Sequence, residues 1–241
     1  MWHIGCSGFY YNHWKGSFYP EDLPKSRWFD HYTSHFNTLE LNVTFYRFPR
    51  LSTFESWYKK SPPDFSFAVK APRIITHFKQ FLETTEMMQG YYSVIQEGLK
   101  EKLGAVLFQL PPRASYTPER LERIIETLDP AYPNVVEFRH ESWWNQEVYD
   151  QLGRHNISFC GISHPTLPDE IIKNSPLVYY RFHGAPELYK SAYSSQKLSA
   201  FVRKIMQEPE PKQVFVYFNN DIGGAAIDNA LSMKRMVEKG Q

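Results

Sequence analysis

Two periods alternate along the chain. Short runs of β-branched, aromatic and other apolar residues at 2–7, 38–42, 65–71, 105–110, 135–139, 157–162, 177–183 and 214–218 predict eight strands. Between them apolar residues recur at i, i+3, i+4 and i+7, the spacing that gathers them on one face of a helix. Trp28, Phe29, Tyr32 and Phe36 mark the first helix, and Leu51, Phe54, Trp57 and Tyr58 the second. A long third helix is expected over 77–99, with Phe78, Phe81, Leu82, Met88, Tyr91, Tyr92 and Ile95. Thr117 and Pro118 start the fourth, since the hydroxyl can cap open amides and proline suits the first helical position. Leu121, Ile124, Ile125 and Leu128 form its stripe. Ser142 is the expected cap of a fifth helix, a short sixth is placed at 168–173, and Ser194 or Ser195 caps a seventh. Gly223 and Gly224 open an eighth, which carries Ala226, Ala230, Met233 and Val237 on one side.

Eight strands in alternation with eight helices, beginning on a strand and ending on a helix, is the count that closes a barrel. The expected fold class is therefore α/β, a single (β/α)8 TIM-like barrel with residues 1–241 as one domain. An open doubly wound sheet is the alternative. No repeat, low-complexity tract or linker marks a boundary.

Parallel barrel strands are buried on both faces and should read as nearly unbroken apolar runs. These runs are broken at one end only. Toward their C-termini stand Glu40 and Asn42, Lys70, Gln109, Glu137 and Arg139, Arg181 and His183, and Asn219. That end is where this fold builds active sites. Glu137 and Arg139 share the parity of Val135, and Arg181 and His183 share that of Tyr179, so each set points to one side of its strand.

Composition narrows the partners. Lysine plus arginine (27) nearly cancels aspartate plus glutamate (26), so no global field holds the protein on nucleic acid or on a membrane. Attraction for anions must be local. The two cysteines, Cys6 and Cys160, lie in apolar runs and read as buried thiols of a reducing compartment. The N-terminal residues lack the features of a secretory signal, and no apolar run approaches the roughly 20 residues of a membrane helix. A soluble, cytoplasmic protein is expected, with no membrane partner.

At the polar end two carboxylates, Glu40 and Glu137, face the cations Lys70, Arg139 and Arg181, with His77, His140 and His183 nearby. The excess of cations points to an anionic small molecule, because a guanidinium pairs two oxygens of a carboxylate or phosphate at once. Glu40, Glu137, Lys70 and His183 are the candidate catalytic residues, able to exchange protons or stabilise charge. Asn42, Tyr46, His77, Gln109, Arg139, Trp143, Arg181, Asn219 and Asn220 are the candidate binding residues. Gly223 and Gly224 join them, since glycines before a helix expose amides at its positive end. Aromatic residues, 17% of the chain, fill core space for the most part, and Tyr46 and Trp143 are those expected to meet a ligand.

The segments GCSGFYYNHWKGSFYP, LELNVTFYR, FAVKAPRIITH, LGAVLFQLPP, VEFRHESWW, YYRFHG and YFNND, in this order, resemble the YecE-like family of unknown function, domain of unknown function seventy-two. The resemblance runs from the first strand to the last helix. It implies a (β/α)8-like barrel and supplies no activity. It marks Ser7, Gly8, Glu40, Asn42, Tyr46, Lys70, His77, Gln109, Glu137, Arg139, Trp143, Arg181, His183, Gly184, Asn219 and Asn220 as family motif positions. Two residues depart from the pattern: Phe9, where tryptophan is commoner, and His164, where many relatives carry an aspartate.

The function expected is a barrel enzyme that binds a phosphorylated or otherwise anionic small molecule and uses acid–base catalysis, in the hydrolase or lyase class, with no bound cofactor. A metal-dependent phosphodiesterase resembling barrel DNA-repair endonucleases is one alternative, with a divalent metal on Glu40, Glu137, His77, His140 and His183. The absence of tight His-x-His or His-Glu-x-x-His spacing weighs against it. Glycoside hydrolysis by Glu40 and Glu137 leaves the arginines unexplained. A non-catalytic nucleotide or nucleic-acid binding module is the alternative outside the enzymes, and a purely structural network of buried ion pairs is the bland one.

Overall fold

The computed structural model describes residues 1–207 and 211–240. Its strands are β1 (Trp2–Cys6), β2 (Thr38–Leu41), β3 (Ser66–Lys70), β4 (Leu103–Gln109), β5 (Asn134–Glu137), β6 (Ser158–Ser163), β7 (Leu177–Phe182) and β8 (Gln213–Phe218). Each overlaps a run expected to be extended. The parallel strands lie in the order β1-β8-β7-β6-β5-β4-β3-β2, with helices between them, which is the α/β fold of a (β/α)8 TIM-like barrel. The helices among the described residues are α1 (Trp28–Thr33), α2 (Leu51–Lys60), α3 (Thr85–Leu99), α4 (Pro118–Thr127), α5 (Gln146–Arg154), α6 (Ser195–Met206) and α7 (Ala225–Gly240). None is long and apolar enough to cross a membrane.

Three helix expectations need correction. The stretch 168–173 is not a helix: it is short, lacks a repeating apolar stripe, and is held instead by side-chain contacts. In its place Asp169 accepts from Lys197 Nζ at 2.7 Å and from the hydroxyls of Ser163 and Tyr180, while Ile172 is buried. The third helix begins at Thr85 rather than near residue 77. Ahead of it Ile74–Phe78 form one π-helical turn, and Gln80, Phe81 and Glu83 adopt φ of 46°, 64° and 50°. That turn lets Phe81 pack on Phe108 and leaves Phe78 and Leu82, expected on the apolar stripe, exposed. Finally, Asn145 rather than Ser142 caps α5, accepting from Val148 N at 3.1 Å. The Ser142 hydroxyl instead accepts from Tyr116 N and meets His140. Thr117 and Ser194 cap α4 and α6 as expected.

The chain forms two compact units, Met1–Glu40 with Gly161–Gln241, and Leu41–Cys160. In the first, one face of the strands is layered. His3 stacks on Phe215 at 4.3 Å, Tyr179 tilts against Tyr217 at 5.3 Å, and the Tyr217 hydroxyl meets Thr38 Oγ1. The opposite face carries Tyr180 and Phe182 onto Phe201 of α6, at 4.6 and 5.1 Å between rings. In the second unit α2 and α3 touch at Gly98, where a Cβ would come within 2.4 Å of Phe54 Cβ, so only glycine allows this approach. Tyr92 and Phe81 cover Phe108 of β4.

His3 is 5% exposed, and burial, followed by the charged amino terminus, lowers its pKa from 6.5 to about 4. The unfolded chain thus takes up a proton in this window that the folded chain refuses, so stability is full above pH 6.5 and is lost as pH falls toward 4. A shift of this size corresponds to about 3 kcal/mol. Urea unfolding should show that loss between these two pH values, and His3→Gln should flatten it; equal slopes in both proteins would refute the assignment.

Candidate functional site

Each unit gathers polar side chains where its strands end. In the first, Glu40 of β2 has no exposed surface. Its Oε1 accepts from Arg181 Nη2 at 2.6 Å, and its Oε2 accepts from the Tyr179 hydroxyl at 2.6 Å. Ser7 bridges Glu40 in parallel register, and its Oγ lies 3.4 Å from the same guanidinium nitrogen. Gly8, at φ 97°, turns the chain after this bridge so that its amide reaches the Glu40 carbonyl at 3.1 Å. Burial raises the Tyr179 phenol well above its usual range and the Glu40 charge adds to it, so Tyr179 remains a donor. Arg181 is 1% exposed: it serves Glu40 within this unit.

Beyond this layer His183, fully buried, meets the Asn219 amide at 3.1 Å through Nδ1. Asn220 is also buried, and its amide donates to Ser191 O and to Asn229 Oδ1, tying the loop after β7 to α7. Gly223 and Gly224 have φ of 96° and 83° with open space where a Cβ would stand, directly before α7. The sequence reading passed over one pair here. His13 Nε2 lies 2.8 Å from Asp221 Oδ2, and Trp14 donates its indole N–H to Asp221 Oδ1 at 2.6 Å. Burial raises the Asp221 pKa against the pull of these two partners. Asp221 ends the YFNND segment, but nothing local in the chain announces a partner more than 200 positions away.

In the second unit Lys70, at the end of β3, donates to Gln109 Oε1 of β4 at 2.6 Å and lies 4.3 Å from the Phe45 ring centre. Thr44 fixes that ring's turn, because its hydroxyl donates to Lys70 O and Leu41 O. Asn42, half-buried, precedes the turn, and Tyr46, exposed, follows it. Glu137 of β5, with no exposed surface, accepts from Arg139 Nε, and it is the register partner of Gln109. His77 sits on the π-helical turn, its ring 5.1 Å from Phe45. Burial and then the charges of Lys70, Arg113, Arg139 and Arg73 lower its pKa to about 4, leaving a neutral imidazole near pH 7. Two of these cations, Arg73 and Arg113, were not singled out from sequence; Arg113 donates to His77 O at 3.2 Å.

Trp143 stands apart from the other candidates. It is fully buried, stacks on Phe138 at 3.9 Å and donates its indole N–H to Ala114 O. His164 has its ring 6.2 Å from that of His183, and Phe9 packs edge-on against Phe29. Among the described residues no group of three or more His, Cys, Asp or Glu side chains is placed to hold a metal.

With this geometry in view, comparison with known proteins gives a consistent result. Residues 3–241 match the family model described as protein of unknown function DUF72. The chain is 28% identical to UPF0759 protein YunF of Bacillus subtilis over 261 residues, 92% of this chain and 90% of that one. It is 23% identical to UPF0759 protein YecE of Escherichia coli over 56% of this chain and 49% of that one. A DUF72 family protein from Thermotoga maritima has a crystal structure similar at a TM-score of 0.90 and 32% identity, covering 99% of both chains. One from Enterococcus faecalis has the same fold at a TM-score of 0.84 and 22% identity, over 99% of this chain and 96% of that one.

The Glu40–Arg181 pair generates a test. Arg181→Met leaves a buried carboxylate without its counter-charge and should cost about 3 to 5 kcal/mol in denaturant unfolding. The double variant Glu40→Gln/Arg181→Met should recover a large part of that loss. A single variant as stable as the parent would show that the pair does not carry the first unit.

Proposed function

The chain belongs to the DUF72 family, and from its own side chains we propose that it is an enzyme that binds a phosphorylated or otherwise anionic small molecule and acts on it by acid–base chemistry without a bound metal. The observation that carries this reading is the placement of Lys70 and Arg139 at the strand ends of the second unit beside His77, whose imidazole is kept neutral by burial first and then by the charges of Lys70, Arg113, Arg139 and Arg73. One carboxylate, Glu137, accompanies them at the strand ends of this unit. A group of cations around one imidazole, with Arg73 and Arg113 exposed to solvent, favours an anion, since a phosphate or carboxylate is attracted to such a cluster. Lys70 and Arg139, 9% and 8% exposed, stand at the edge of the covered region and are the proposed anion ligands, with Gln109 orienting the ammonium.

A carboxylate next to a guanidinium is held as the anion and so can accept a proton but not donate one, which makes Glu137 the proposed base of the second unit. Glu40, held by Arg181 and Tyr179, is the alternative in the first, where His183 can donate a proton. Elimination uses such a base and acid directly, and hydrolysis uses the base to activate a water molecule that becomes part of the product. Cys6 and Cys160, buried thiols outside any disulfide, support a cytoplasmic setting.

Binding of an anion beside His77 favours its protonated form, so its pKa should rise from about 4 on saturation. The complex then takes up protons, and affinity should increase as pH falls toward the raised value. Calorimetric titration with ribose 5-phosphate and inorganic phosphate, together with NMR titration of the imidazole, measures both effects. Lys70→Met should weaken binding by about tenfold or more. An unmoved His77 titration with unchanged affinity in the variant would overturn the anion reading.

A further inference from the structure

We propose that the phosphorylated ligand of the second unit is a nucleotide, whose base stacks on the exposed rings of Tyr46 and Phe78 that Arg73 bridges. This deepens the anion reading above and rests on it. Tyr46 is 68% exposed and Phe78 62%, values that leave most of each ring surface open to water. The Arg73 guanidinium carbon lies 5.7 Å from one ring centre and 5.4 Å from the other, so a planar cation spans two π faces at the surface.

The rings are held there by the backbone. Phe78 closes the π-helical turn, and the positive φ values of Gln80, Phe81 and Glu83 follow directly. Non-glycine residues adopt this region at a cost, and such segments gather where a chain must present particular side chains. A regular helix through 77–99 would have turned Phe78 toward its apolar stripe. The observed turn keeps Phe78 outside while Phe81, three residues on, enters the core at 3% exposure.

The exposed rings connect with the cationic cluster through two contacts. Tyr46 meets Phe45 edge-on at 5.3 Å, and Phe45 lies 4.3 Å from Lys70 Nζ and 5.1 Å from the His77 ring. A ligand that serves both parts needs a flat ring at one end and an anionic group at the other. A sugar phosphate has no π face, and a free base brings no charge to the exposed guanidiniums of Arg73 and Arg113. A nucleoside monophosphate has both. The charges at hand also argue against a purely apolar partner, because covering Arg73 with hydrocarbon would strip its water without return.

The test is isothermal titration of the full-length protein with AMP, ribose 5-phosphate and adenosine, in the parent and in Tyr46→Ala, Phe78→Ala and the double variant. Base stacking should make AMP bind roughly tenfold or more tightly than ribose 5-phosphate. The double variant should bring AMP down to the ribose 5-phosphate level while leaving ribose 5-phosphate affinity unchanged, and Tyr46→Phe should retain the preference. Both rings are exposed, so thermal midpoints should stay near that of the parent, which separates loss of stacking from loss of fold. Equal affinity of the parent for AMP and ribose 5-phosphate overturns the nucleotide assignment alone. If no phosphate compound binds, the anion reading falls and this inference falls with it.

Discussion

A charge carried into the covered face of a strand must meet its opposite there. Glu40 illustrates how much follows from that requirement. Its carboxylate is closed off from water, so Arg181 and Tyr179 of β7 must reach it from across the unit, and Ser7, just past the end of β1, must stand beside it. These contacts hold three strands in one register, because a slip by one residue would turn Glu40, Tyr179 and Arg181 to the other face. The aromatic layers of His3, Phe215, Tyr179 and Tyr217 can then stack beneath the ion pair. The second unit meets the same requirement with a shorter device: Glu137 finds Arg139 two residues along its own strand direction.

The two units differ in how their charged groups are enclosed. In the first, Glu40 and Arg181 balance, and the further carboxylate Asp221 is held by His13 and Trp14. In the second, Glu137 pairs with Arg139, while burial and then the charges of Lys70, Arg113, Arg139 and Arg73 lower the pKa of His77. An enclosed pair favours rigidity, whereas charged groups nearer the surface can meet a visitor. The anion reading therefore draws on Lys70 and Arg139, at the edge of the covered region, although Arg181, more deeply enclosed, has the same chemistry as Arg139.

What could be read from the chain follows the reach of the signals. Strands declare themselves over a few residues by their apolar runs, and Glu40, Lys70, Gln109, Glu137 and Arg181 were conspicuous because each interrupts such a run. Signals that depend on distant packing were silent. The turn at 74–83 exists because Phe81 finds Phe108, a contact that the heptad-like spacing around it does not encode. Ser142 and Asn145 are equally good caps by composition, and the choice fell to Asn145 because Tyr116 and His140 engage Ser142. His13 and Asp221 meet only because the first and last strands are neighbours. Trp143 reads like a ligand-facing aromatic, yet its stacking on Phe138 belongs to the core.

The helix-free crossover between β6 and β7 has a consequence for how such a chain can change over time. One residue inserted in an amphipathic helix rotates everything after it by about 100° and carries the apolar stripe off its seat. The segment from His164 to Pro176 has no such phase to lose: it is held by a few side-chain anchors, chiefly Asp169, Ile172 and Lys173. It can therefore lengthen or shorten one residue at a time while the strands on either side keep their places. Within the first unit, evolutionary drift in length has its least costly outlet there.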